Sequence, residues 1–233
     1  MICFIDYRTS EEERNSLKAL NLTLIEIPPC NNLYEAINGH VDIQLNIIDK
    51  NKKRIIIQKE MPEAFKKMLV KNNISFIESK NSLEYKYPNN IILNSLILDN
   101  YFVHNLNFTD PNLLDTQRNK KLINVKQGYT KCSVLVVADK AIITNDKSIY
   151  KNLIKENFDI LLLPPGDIIL EGLDYGFIGG TGGLINKNTM AFFGSLENYL
   201  YGEKVKNFLT KYNVKPLYLS NGKLIDRGSL MLL

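Results

Sequence analysis

One order of elements recurs five times in this chain, and that recurrence limits the fold more than any single motif does. The unit is helix, strand, loop, two-stranded hairpin. The strand after each helix begins near residues 22, 74, 122, 160 and 215, at intervals of 52, 48, 38 and 55, within the range of structural repeats. In the first unit Ser10-Glu11-Glu12-Glu13 reads as a capping box opening a helix through Leu20. A strand from Leu22 to Ile27 stops at Pro28-Pro29. A hairpin then runs from Val41 to Ile48, turns, and returns from Arg54 to Gln58. The second unit has Pro62 at a first-turn position, strand Ile74 to Ile77, and hairpin Ile91 to Leu98 with Tyr101 to His104. The third has a helix from Asp110-Pro111 to near Lys121, strand Leu122 to Val125, and hairpin Cys132 to Val137 with Ala141 to Thr144. In the fourth, Asn145-Asp146 caps the helix, and Asp159 to Leu163 is stopped by Pro164-Pro165. Its hairpin is Gly183 to Ile185 with Thr189 to Phe193. The fifth has a helix through Val205 and Leu209, strand Val214 to Leu219 and a single arm, Leu224 to Leu233.

The fifth unit therefore lacks a second hairpin arm. Ile2 to Asp6 is a strand without a unit, and it precedes the first helix as every second arm precedes the next helix. The economical fold is an α/β, five-fold pseudo-symmetric α/β propeller, a single domain of residues 1–233 whose ring is closed by the N-terminal strand. Closure removes exposed sheet edges. An open α/β sheet is the alternative, but the paired hairpins argue against a wholly parallel one.

Composition narrows the function classes. The chain is 45% hydrophobic and 23% charged, as folded proteins are, and has no apolar run long enough for a membrane span. Its N-terminus lacks the basic start and apolar stretch of a signal peptide, so the cytoplasm is the expected compartment. The net charge is +4, yet the lysines are scattered and no basic stripe alternates with aromatics, so nucleic acid is not an expected partner. Cys3, Cys30 and Cys132 are odd in number and show no CxxC spacing, which argues against a disulfide framework and a zinc site.

The candidate chemistry centres on Gly39-His40-Val41-Asp42, which holds one of two histidines. If this stretch is strand, His40 and Asp42 project from one face and form a pair for proton transfer or for gripping a cation. Gly179-Gly180-Thr181-Gly182-Gly183 invites a phosphate-loop reading, but a hairpin strand rather than a helix follows it. Positive φ and close backbone approach explain those glycines better. His104 has no carboxylate at the same spacing. Asp174 and Asn94 lie near other strand starts and are candidate cavity residues.

Five units closed as a propeller with Gly39-His40-Val41-Asp42 resemble the guanidino-group modifying enzymes, the pentein superfamily: arginine and agmatine deiminases, dimethylarginine hydrolases and amidinotransferases. Over nearly its whole length the chain is also similar to an uncharacterised bacterial family assigned to that fold. The resemblance implies a cysteine that attacks a guanidinium carbon, a histidine that carries protons, and carboxylates that hold the planar cation by forked hydrogen bonds. It implies no metal and no organic cofactor, and a small guanidino or amidino compound as ligand. His40 and Asp42 match the histidine and substrate carboxylate. The family's cysteine lies in the last unit, where this chain reads Asp226-Arg227-Gly228-Ser229. Two units after His40, however, stands Cys132. A rotated site follows, with Cys132 as nucleophile, His40 as general acid and base, Asp42 and Asp226 as guanidinium carboxylates, and Asp174 as a further substrate-binding residue. On this reading the protein is a deiminase-type hydrolase or an amidinotransferase. The alternative is a non-catalytic ring that binds a small ligand or a macromolecule, as the ribosome anti-association factors of similar fold do.

Overall fold

Each recurrence in the sequence folds into one three-stranded sheet. The computed structural model describes residues 1–233. The sheet containing both chain ends is built from β1 (Ile2–Asp6), α1 (Glu11–Lys18) and β2 (Thr23–Ile27). Next come the helical turn α2 (Val41–Gln44), β3 (Leu45–Asp49), β4 (Arg54–Ile57), α3 (Glu63–Lys71) and β5 (Ser75–Glu78). The third group is β6 (Leu96–Ile97), β7 (Tyr101–His104), α4 (Pro111–Thr116) and β8 (Lys121–Asn124). The fourth is β9 (Val134–Ala138), β10 (Ala141–Thr144), α5 (Lys147–Leu153) and β11 (Asp159–Leu162). The last is β12 (Gly182–Asn186), β13 (Thr189–Phe192), α6 (Gly202–Lys211) and β14 (Lys215–Tyr218), followed by β15 (Met231–Leu232).

The sheets share one pattern. The first two strands pair antiparallel across a tight turn, and the third is parallel to the second across a helix, as in β3-β4-β5 and β9-β10-β11. The fifth instance is assembled from both ends of the chain. β15 pairs antiparallel with β1, with Cys3 opposite Leu232 and Phe4 opposite Met231, and β1 runs parallel to β2. The N-terminal strand thus supplies the arm missing from the fifth unit.

Middle strands are apolar on both faces because each face belongs to a different core. On β4, Ile55 and Ile57 join Phe4 and Ile25 in one cluster, while Ile56 joins Phe102 and Leu113 in the next. On β10, Ile142 packs with Val103, and Ile143 with Phe192. On β1, Phe4 faces one cluster, whereas Cys3 and Ile5 pack with Ala191 and Phe193 of the last unit. Period-two alternation sends neighbours to opposite sides. Five clusters therefore lie between successive sheets, and the fifth lies between the last sheet and the one holding the chain ends. Each fully buried Ile or Phe side chain contributes about 1.5–3 kcal/mol.

The helix starts follow the capping signals. Ser10 and Glu13 form the capping box, and Asp110 and Asp146 cap α4 and α5. Four expected spans are shorter or different. The segment expected as strand from Val41 is helical up to Gln44. The arm expected from Ile91 is reduced to β6, because Leu93 and Ser95 give their carbonyls to the amide of Asn46. α4 ends at Thr116, because Lys121 must already pair with Tyr101. Of the last arm only Met231–Leu232 is strand.

Candidate active site

A cavity of about 250 Å³ opens where the first strands of the units begin. Its floor includes His40, Cys132 and Asp226, and its walls include Tyr34, Ile43, Tyr129 and Phe177. His40 caps the turn that leads into β3, Cys132 stands two residues before β9, and Asp226 lies five before β15. Three separate units therefore deliver one side chain each to a common point.

His40 and Asp42 reach this point by a different route from the one expected. They are not alternate residues of a strand. His40 is extended, at φ −62° and ψ 123°, and Asp42 lies in the first turn of α2. Even so, the ligating atoms of His40, Asp42 and Cys132 all lie within 4.8 Å of one another, and all three residues are buried. The thiol of Cys132 donates to Asp42 Oδ1 at 3.0 Å. Asn94 Nδ2 donates to Asp42 Oδ1 at 3.1 Å and to Cys132 Sγ at 3.2 Å, while its Oδ1 accepts from the Cys132 amide. Ser229 Oγ donates to Asp42 Oδ2 at 2.6 Å, and Lys131 Nζ donates to Ser229 Oγ at 2.9 Å. Asp226 accepts from the amides of Phe177 and Gly228, and its Oδ1 lies 3.9 Å from His40 Nε2. Neither ring nitrogen of His40 has a hydrogen-bond partner. A buried imidazole with both nitrogens free is rare, because burying an unpaired polar group is costly.

Two glycines make this packing possible. A Cβ on Gly180 would stand 1.8 Å from Asp226 Oδ1, so only glycine admits the carboxylate. Gly228, at φ +68°, backs onto His40, where a Cβ would stand 2.4 Å from the histidine Cβ. The expectation of positive φ for the Gly179–Gly183 run is not met. Positive φ occurs instead at Gly166, Gly172, Gly194 and Gly228, and the run serves close approach alone.

The electrostatics keep the thiol protonated. Burial pushes Cys132 well above the ordinary thiol value, and the carboxylates of Asp42 and Asp226 add to the rise. Burial also raises Asp226, partly offset by His40. Lys131 is lowered by burial, against the pull of Asp42 and Cys132. Its ammonium reaches the site from behind, through Ser229.

Asp174 lies at the exposed rim of the cavity, and Asn94 lies beneath the thiol. Leu170, Leu173 and Tyr175 show that the loop between Gly166 and Gly176 forms part of the cavity wall. Motif reading missed Ser229 and the aromatic walls, because neither carries a spacing signal, and of this loop it singled out Asp174 alone. His40, Asp42 and Cys132 form a donor set that suits zinc or a similar ion. Their sequence spacing carries no sign of such a set. His104 is structural, bridging Thr109 Oγ1 at 2.8 Å and the Gly128 carbonyl at 3.0 Å.

The fold is similar to those of solved guanidino-group modifying enzymes. One is an amidinotransferase of the saxitoxin biosynthetic pathway from Microseira wollei, with a TM-score of 0.57 and 10% identity over 93% of this chain and 75% of that one. Another is the inosamine-phosphate amidinotransferase of Streptomyces griseus, at 0.56 and 10% identity over 94% and 81%. A third is the dimethylarginine dimethylaminohydrolase of Pseudomonas aeruginosa, solved with citrulline, at 0.54 and 10% identity over 93% and 90%. At such identities the likeness shows the pentein fold alone. No curated protein sequence matches the chain. No helix is long and apolar enough to cross a membrane. The family model that matches spans residues 4–231, nearly the whole chain, and the protein belongs to the family of unknown function DUF6873.

Proposed function

We propose that the chain is one closed five-unit ring, a single domain, that acts on a small guanidino compound by cysteine covalent catalysis. The observation that carries this reading is the convergence of His40, Asp42 and Cys132 within 4.8 Å at the cavity floor. The free imidazole and the second carboxylate, Asp226, support it.

The chemistry follows from the charges. A guanidinium entering the cavity meets Asp226 on the floor and Asp42 behind the thiol. Both carboxylates hold the free thiol protonated, so a bound cation that neutralises them favours the thiolate. His40 accepts the thiol proton. The thiolate attacks the guanidinium carbon, forming a C–S bond, and the proton on His40 passes to the departing amine as the C–N bond breaks. Water then cleaves the C–S bond in a deiminase-type hydrolysis; an amine in its place would give amidino transfer. Hydrolysis is the simpler course because it needs no second substrate site.

Alkylation of Cys132 by chloroacetamidine, with neutral iodoacetamide as control, tests the reading. Faster labelling by the amidine, lost in His40→Ala, is the expected result. Equal and slow labelling by both reagents contradicts it. One observation favours a second reading, a ring that binds a ligand without turnover: the resting thiol is held protonated by burial first and by two carboxylates beside it.

A further inference from the structure

We infer that the guanidine or amidine taken by this cavity carries a short apolar arm and no carboxylate. The inference rests on the site assignment above and narrows it to a substrate class. It comes from what surrounds the cavity. Nine of its twelve lining residues are hydrophobic, and the remaining three are His40, Asp174 and Asp226. No lysine or arginine lines it.

A free α-amino acid with a guanidino side chain needs a cation for its carboxylate, since a desolvated, unpaired charge is costly. Two of the three cations near this site, Arg8 and Lys131, are committed elsewhere, and the third, Arg227, does not line the cavity. The charge of Arg8 is felt at Asp226, but its guanidinium is bound to both carboxylate oxygens of Asp6 and to the carbonyls of Glu35 and Ala36. Lys131 reaches the site only from behind Asp42, through Ser229. Arg227 follows Asp226 in the chain yet does not line the cavity. The one charge at the mouth is Asp174, which repels a carboxylate.

The walls are suited to an apolar arm. Tyr129 and Phe177 pack with ring centroids 6.1 Å apart and form one aromatic side, and Leu170 and Leu173 come from the overlying loop. Aromatic faces also attract a planar cation. At about 250 Å³ the space falls below the usual range of ligand pockets, roughly 300–1,000 Å³, so the arm is short.

Calorimetric titration of the full chain with benzylguanidine and with L-arginine tests the inference directly, without needing turnover. Benzylguanidine should bind at least about tenfold tighter, the scale set by apolar contacts in a pocket. Leu173→Arg, at an exposed rim position, should narrow or reverse that preference by supplying the missing cation. Equal or tighter binding of L-arginine by the unaltered chain overturns the inference, as does failure of both to bind. The site assignment has its own readout, chloroacetamidine labelling of Cys132. Tight benzylguanidine binding without selective labelling keeps the ligand class and removes catalysis. Selective labelling with a preference for L-arginine does the reverse.

Discussion

Two cavities lie at opposite ends of the same first strands and differ in almost every chemical respect. The small one is formed by residues that precede β3, β9, β12 and β15, with apolar walls and an acidic floor. The large one, about 1010 Å³, follows β3 and β6 along their length to the turns beyond. Its lining includes Lys50, Lys52, Arg54, Lys120 and Lys131 against Asp49 and Asp99. Size does not select the chemical end. Lys52 pairs with Asp49, as solvated charges at turns do, and Lys120 donates to the Leu98 carbonyl. The small cavity instead gathers buried groups that water cannot satisfy. Strand starts from several units converge on it, so side chains far apart in sequence can meet there. The two ends touch through one chain of hydrogen bonds, Lys131 to Ser229 to Asp42 to the Cys132 thiol.

Substitutions at the two ends should therefore separate sharply. Cys132→Ala should abolish turnover and amidine labelling, while Lys50→Gln with Arg54→Gln should leave both unchanged; a loss of turnover in the double variant would break the contrast. His40→Ala should lower turnover by roughly 10²–10⁴, the range of a general acid and base, measured on the first substrate found. Lys131→Met, at the join, should have a smaller effect. Removing a positive charge near the thiol raises its pKa further, so iodoacetamide labelling at fixed pH should slow by less than about tenfold. An effect as large as that of His40→Ala would make the lysine part of the chemistry.

The smallest expected effect on the site comes from His104, which lies outside both cavities. Burial holds its imidazole at about 4, against 6.5 unfolded. Its neutral form is favoured in the fold, so stability is complete above pH 6.5. It falls as pH drops from 6.5 towards 4, because the unfolded chain takes up a proton that the folded chain refuses. The difference is worth about 3 kcal/mol at most. Denaturant unfolding of His104→Gln between pH 4 and 7 should lose this component, with labelling of Cys132 unchanged.

The fold was legible because its signals are local and repeated. Ser10, Asp110 and Asp146 mark helix starts, and the orphan strand Ile2–Asp6 matches the arm missing after Leu224. The convergence of Cys132 and His40 followed from both lying shortly ahead of the first strand of a unit. The stretch Val41-Asp42-Ile43-Gln44 was misread because four residues of alternating character fit a strand and a helical turn equally well. Ser229 and Lys131 were out of reach for another reason. Their contacts depend on the left-handed backbone at Gly228 and Ser229 and on the approach of Gly179, which no spacing encodes. The glycine run was understood in kind but not in detail. It makes room for the Asp226 carboxylate and neighbouring backbone rather than for unusual dihedral angles.

The central claim is that Asp42 both restrains the Cys132 thiol and attracts a planar cation to it. Comparing alkylation of Cys132 by chloroacetamidine and by iodoacetamide in the unaltered chain and in Asp42→Asn tests it most directly. Labelling can be followed on the Cys132 peptide, since Cys3 is buried with its thiol at about 12. The account predicts opposite movements. Iodoacetamide should react faster in Asp42→Asn, because a carboxylate that raises the thiol pKa is gone, and the ratio of amidine to iodoacetamide rates should fall by roughly tenfold or more. Parallel changes with both reagents, leaving the ratio intact, would contradict it.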